Sequence, residues 1–259
     1  MLIFHEVGIW NPDQVKIDWV ESTRRIDPTV ERLVDDAWTS ALSRPGVHLF
    51  DGPMCRMESR RRVGDELRLS VSRTSYKPFL GTNLAHPELY ATHADCFANA
   101  TGVSTALVTS DSHLMLGRRN AKVAYYPNRL HPFAGALEPR EPLDIFDEVY
   151  RELNEELGLG RADVCSVRCI GIAEDVTIHQ PETIFAVETT LSRDEIRRQV
   201  NDAEHHDSWS VRVSANDFEA ALQKSGEAFT PIAVAVILLL GRVEFGDAWF
   251  ERNAMRFMA

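Results

Sequence analysis

Four glutamates, Glu148, Glu152, Glu155 and Glu156, crowd the stretch IFDEVYRELNEELGL from Ile145 to Leu159. At about 100° per residue they share a helical arc of about 100°. Phe146, Val149, Tyr150, Leu153 and Leu157 fall on the neighbouring arc, so the spacing predicts an amphipathic helix that Gly158 ends. Like charges at i,i+4 oppose helix formation by a few tenths of a kcal/mol per pair. Hard divalent cations take carboxylate oxygens, so such an ion would turn the repulsion into a binding site. A solvated acidic face is the plainer reading of the same periodicity.

The local order of residues separates the two readings. Arg151-Glu152-Leu153-x-Glu155-Glu156-x-Gly158-Leu159 resembles the second half of the Nudix box, G-x5-E-x7-R-E-U-x-E-E-x-G-U with U aliphatic, at every fixed position. Gly135 and Glu141 fit its first half, G-x5-E. The segment from Glu141 to Arg151 is two residues too long for the box, which places an insertion around Pro139 and Pro142. Glu141 is therefore one candidate partner for Arg151, and Asp144 is another.

The resemblance implies a hydrolase of phosphoanhydride bonds. Glu152, Glu155 and Glu156 would hold Mg²⁺ (or Mn²⁺), with the Gly135 carbonyl as a further ligand. Arg151 would orient a glutamate by ion pairing. Catalysis would rest on Glu152, Arg151 and Glu156. The general base is open among Glu152 and later acidic residues, namely Glu182 on a predicted strand and Glu204 and Asp207 in NDAEHHDS. His205 and His206 in that segment lack metal-ligand spacing and are expected to be structural or solvent-facing.

A narrower resemblance comes from three strings outside the box. FDGPMCRM (Phe50–Met57), SYKPFLGTN (Ser75–Asn83) and LVTSDSHLMLGRR (Leu107–Arg119) are similar, in order, to the animal Nudix hydrolases that cleave UDP-glucose and UDP-galactose. On its own residues, Ser72–Asn83 reads as a turn-rich loop, either packed on the surface or suited to holding a base between a ring and backbone groups. The resemblance makes it part of a nucleotide pocket, with Tyr76, Phe79, Leu80, Gly81, Thr82 and Asn83 as substrate contacts. Arg118 and Arg119 end a predicted strand; they either face phosphates, Arg118 being the one assigned to substrate, or lie in solvent.

These resemblances imply hydrolysis of a nucleotide sugar such as UDP-glucose or UDP-galactose to UMP and a sugar 1-phosphate. The competing readings are a Nudix pyrophosphatase acting on ADP-ribose, a CoA derivative or a dinucleotide, and a non-catalytic nucleotide sensor. Sensors usually lose box glutamates, and this chain keeps them.

Composition narrows the partners. Lys+Arg is 28 and Asp+Glu is 39 in 259 residues, a formal charge of 28 − 39 = −11, which is unsuited to wrapping a nucleic-acid backbone. Cys55, Cys96, Cys165 and Cys169 form no CxxC pair. The N-terminus lacks a secretory pattern, and the longest apolar run, Ile232–Leu240, is too short for a bilayer, so a cytoplasmic protein without a membrane partner is expected. Oligomeric state is not set by any of these features.

The supporting elements follow from pattern and punctuation. Leu2–Val7 predicts a strand, and Asp27-Pro28 caps a helix that stops before Pro45-Gly46. Met54–Val63 and Glu66–Ser72 predict a hairpin turned at Gly64-Asp65. Ser104–Thr109, Leu114–Arg118, Val164–Ile172, Thr183–Thr190 and Trp209–Val213 predict strands. Helices are expected after Ser192, over Asn216–Lys224, and from Pro231 through Leu240, the last covering the sheet. The expected architecture is α+β: a Nudix fold, an α/β/α sandwich with a mixed sheet, at 101–259, preceded by a smaller α/β extension at 1–100.

Overall fold

The computed structural model describes residues 1–44, 49–200 and 205–259. Its first part runs β1 (Leu2–Trp10), β2 (Val15–Trp19), α1 (Pro28–Leu42), β3 (Pro53–Val63), β4 (Glu66–Ser75) and the short helices α2 (Tyr76–Phe79) and α3 (Tyr90–His93). Strands β5 (Gly102–Val108), β6 (His113–Arg119), β7 (Leu130–His131) and β8 (Ala134–Ala136) then lead into α4 (Ile145–Leu157). The rest comprises β9 (Val164–Asp175), β10 (Gln180–Thr189), α5 (Arg193–Gln199), β11 (His205–Arg212), α6 (Ala215–Gln223), α7 (Pro231–Phe245) and α8 (Asp247–Ala254).

The large sheet has the order β1-β9-β10-β5-β6-β11, with β7 on β6 and β8 on β5; β2-β4-β3 form a small one. β10 and β5 are parallel while β5 and β6 are antiparallel, so the sheet is mixed. β5 and β6 pair only through Leu107–Met115 and Val108–Leu114. Beyond that point they diverge, and β8 and β7 pair with the separated edges.

Alternation along the strands sends apolar side chains to both faces. Ala106, Ile184 and Ala186 pack with α7 in one core. Val103, Leu107, Met115 and Phe185 pack with Val149 and Leu153 of α4 in the other, which Leu67, Leu69 and Val71 of the small sheet also join. Helix α7 is buried from Ile232 to Gly241, as an apolar-all-round sequence requires. The expected α/β/α sandwich is thus present. Among the described residues, no helix is long and apolar enough to cross a membrane.

Local chemistry explains most element ends. Asp27 accepts hydrogen bonds from the backbone N–H groups of Thr29 and Val30, and Pro28 occupies the first turn of α1. Gly64, at φ 60°, makes the β3–β4 turn. Residues 1–100 do not all stand apart from the rest, because β1 pairs with β9 as the outer strand of the large sheet.

The stretch Ser72–Asn83 differs from the expected loop. After β4 it winds into α2 and one further helical turn, Leu80–Leu84. Gly81 makes the close packing against α1 possible, since a Cβ there would lie 2.6 Å from the Val34 Cα. Asn83 is fully buried; its Nδ2 donates to the carbonyls of Ile178 (2.8 Å) and His179 (3.0 Å) at the β9–β10 turn. Thr82 donates to the Pro78 carbonyl at 2.7 Å and accepts from the Ala98 N–H at 3.3 Å. Phe79, Gly81, Thr82 and Asn83 are buried. They are packed inside this segment, while Tyr76 and Leu80 line the adjoining cavity. Asn83→Ala is expected to cost about 1–3 kcal/mol, because one buried and one part-buried carbonyl lose their donor. Urea unfolding would show the loss, while KM stays within about twofold.

Candidate active site

Helix α4 forms as its periodicity demands, and its ends are fixed by two side-chain choices. The Asp144 carboxylate accepts from the Phe146 and Asp147 N–H groups, and Gly158 takes the left-handed conformation, φ 67°, at the C-terminus. Capping occupies Asp144, so it does not pair with Arg151. Glu141 does not either: it is exposed and pairs with Arg73 at 2.8 Å. The partner of Arg151 is Glu148, one turn back, whose Oε2 lies 2.9 Å from Nε. The box motif gave no cue to this residue; its place on the acidic arc did.

Arg151 also reaches Glu152 at 2.5 Å and Glu155 at 2.9 Å, so one guanidinium gathers three carboxylates of its own helix. Burial disfavours its charge, but Glu152, Glu148 and Glu155 outweigh that and hold it protonated above its ordinary range. Glu148, Glu152 and Glu156 form a buried stripe, only 3%, 7% and 6% exposed, while Glu155 faces solvent. Such burial of carboxylates is costly unless cations or donors compensate it.

Glu156 is compensated from the sheet. Its Oε2 accepts from the Ala134 N–H at 3.1 Å, and its Oε1 lies 3.1 Å from Nε2 of His205. The ring of His205 sits where a side chain on Gly117 would stand, edge-on to Phe133. The structural role expected for His205 is therefore support of a box glutamate, whereas His206 is exposed. Gly135 lies against Glu152 in the same way: a Cβ there would overlap the Glu152 carboxylate. The close fit of Gly135 to that carboxylate is a cradle only glycine allows. Its carbonyl, however, is turned toward Gly102 of β5.

The remaining candidates separate. Glu182 shares a sheet face with Ile184 and Ala186, the α7 side, and is bonded by the Ser104 hydroxyl. Burial pushes its carboxyl up to about 7. It is thus not beside the α4 carboxylates. Asp207 is exposed and accepts from the Ser208 N–H at 2.7 Å. Glu204 lies outside the described residues. Arg118 is half-buried and donates to the Asn128 carbonyl at 3.1 Å, whereas its neighbour Arg119 is buried with its guanidinium 4.6 Å over the Tyr125 ring. Tyr76 and Leu80 line a cavity of about 470 Å³ between α1, the Leu80–Leu84 turn and Lys122–Ala124.

The residues fit a divalent metal by donor chemistry, with hard oxygens from Glu152 and Glu156 on a dry stripe. Among the described residues no three acidic, histidine or cysteine side chains converge closely enough to share an ion. Arg151 holds Glu152 and Glu155 by ion pairs. A bound cation would compete with that guanidinium for the same oxygens.

No family model matches the chain. The uridine diphosphate glucose pyrophosphatase NUDT22 of Bos taurus is 26% identical over 85% of this chain and 88% of its own length. The Mus musculus protein of that name is 24% identical over 93% and 90%. A solved mutT/nudix family protein from Listeria innocua matches 56% of this chain and 94% of its own, at 13% identity and a TM-score of 0.42, too low to add weight. The box motif thus forms the carboxylate-bearing helix, in an α/β/α fold with a mixed sheet, and over most of its length the chain is similar to proteins named uridine diphosphate glucose pyrophosphatases.

Proposed function

We propose that this protein hydrolyses the pyrophosphate bond of a nucleotide sugar, UDP-glucose or UDP-galactose, to UMP and a sugar 1-phosphate, with Mg²⁺ as cofactor. The observation that carries it is the match, over most of both chains, to relatives named uridine diphosphate glucose pyrophosphatases. The buried carboxylate stripe of α4 agrees with the chemistry. Phosphoanhydride hydrolysis needs neutralised phosphate oxygens and an activated water, which a divalent ion supplies when bound.

Glu152 and Glu156 would hold the ion, and Glu155 would join on release from Arg151. Arg151 keeps the carboxylates gathered on one side of the helix, limiting their repulsion before the ion arrives. His205 and the Ala134 N–H fix the Glu156 carboxylate, so its oxygens need little reorganisation. Glu152, seated against Gly135 on the buried stripe, is the residue we assign to accept the proton of the attacking water. Tyr76 and Leu80 offer the nucleoside a partly apolar wall, with Lys122 nearby.

Hydrolysis of a panel of UDP-glucose, UDP-galactose, ADP-ribose, a CoA derivative and a dinucleoside polyphosphate tests the substrate. UDP-sugars should be cleaved with release of UMP. Turnover of ADP-ribose without turnover of UDP-glucose would overturn the assignment. The cofactor is tested without turnover. Mg²⁺ at about 100 times its Kd should stabilise the folded protein by about 2.7 kcal/mol, read as a rise in thermal midpoint. Glu152→Gln should remove most of that rise.

A further inference from the structure

Arg119 is 7% exposed, yet its side chain makes no ion pair or hydrogen bond among the described residues. Its Nε is buried without a partner. A buried guanidinium is ordinarily paired, because an isolated charge in a dry site is costly. Its neighbours do not meet that need. The Tyr125 ring offers only its face. Burial, with the charges of Arg119 and His205, holds His131 below its ordinary range, and its Nδ1 lies 2.9 Å from the Thr230 hydroxyl. Glu182 feels the charge of Arg119 from beyond ion-pair range and keeps its own partner in Ser104.

The position of Arg119 says what is missing. Along β6, Met115, Gly117 and Arg119 share one face by alternation. Met115 packs in the core beneath α4, and Gly117 is covered by His205, which meets Glu156. Arg119 comes next, and His205, the first residue of β11, is its partner in the β6–β11 pairing. On its other side, Tyr125 packs against Phe79 with ring centroids 6.4 Å apart. This guanidinium, unpaired among the described residues, thus lies between the acidic helix and the segment whose Tyr76 and Leu80 line the cavity.

We propose that Arg119 is the anion-recognising residue of this site, and that a phosphate oxygen of a diphosphate ester supplies its missing partner. The inference rests on the reading of the site as a phosphoanhydride hydrolase but not on which nucleoside or sugar is attached. A planar guanidinium over an aromatic face presents two parallel N–H donors, the geometry that suits a phosphate. Tyr125 restrains its tilt. The sites divide the labour: α4 holds the cation, and Arg119 receives negative charge that the cation does not cover.

Inorganic pyrophosphate titrated into the full-length protein in EDTA tests this without turnover. Arg119→Met should weaken binding at least about tenfold, and Arg119→Lys should fall between that variant and the parent, keeping the charge but losing the fork. The thermal midpoint of Arg119→Met without ligand should match or exceed the parent's, since an unpaired buried charge is removed. Equal affinity in Arg119→Met, no binding by the parent, or a large drop in the midpoint of Arg119→Met would each overturn the proposal. If pyrophosphate binding depends on Arg119 but UDP-glucose is not cleaved, the anion site stands and the UDP-sugar assignment alone falls.

Discussion

Glu156→Gln is expected to fold with an unchanged thermal midpoint, within about 2 °C, and to lose roughly a thousandfold in Mg²⁺-dependent turnover. The substitution keeps the shape and an oxygen that can accept from the Ala134 N–H at the present 3.1 Å. It removes the charge that a divalent ion requires. A thousandfold loss is about 4 kcal/mol of transition-state stabilisation, within the several kcal/mol that a bound metal supplies. The fold should tolerate it because the amide fills the same buried space beside His205 and removes a buried charge. Turnover within tenfold of the parent would remove Glu156 from the metal site. A parallel titration with Mg²⁺, followed by thermal midpoint, distinguishes lost metal binding from lost chemistry at a metal that still binds.

The helix carrying this residue was legible because its signals are local. Periodicity and Gly158 after it act within one or two turns, and both are seen in the structure, whereas Asp144, read as a candidate partner for Arg151, proves to be the cap. The same is true of Asp27 on α1 and Gly64 between β3 and β4. Contacts between distant segments were not legible. Glu141 pairs with Arg73 and Glu156 meets His205, and neither pairing has a signature within a window of sequence. Ser72–Asn83 misled for a physical reason: Gly81 and Asn83 are turn formers, but here they serve a close helix contact and a tertiary hydrogen bond. The short strand Val15–Trp19 was missed because it is brief, and its place is set by pairing with β4. Arg118 and Arg119 were indistinguishable as adjacent arginines. Strand alternation assigned them opposite faces, leaving Arg118 half-buried beside Asn128 and Arg119 buried under Tyr125.

Gly135→Ala should be nearly as damaging to turnover as the loss of a ligand, although it adds a single methyl group. Gly135 pairs with Val103 in the β5–β8 ladder, and its carbonyl already crowds Gly102, where a Cβ would lie 2.6 Å away. The backbone of β8 therefore cannot retreat toward β5. A Cβ on residue 135 overlaps the Glu152 carboxylate, so that side chain must swing away, breaking its 2.5 Å contact with Arg151. Gly135 is not among the residues with positive φ, so alanine adds no backbone strain of its own. The cost to folding should be an overpacking cost of about 1–3 kcal/mol. The cost to turnover should be about a hundredfold, the scale expected when a catalytic group is misplaced by about 1 Å. Both are read from one preparation, stability by chemical denaturation and kcat by release of UMP. If kcat falls less than threefold while stability drops as expected, Glu152 is not seated against Gly135 during turnover, and the carboxylate that receives the water proton must be sought elsewhere.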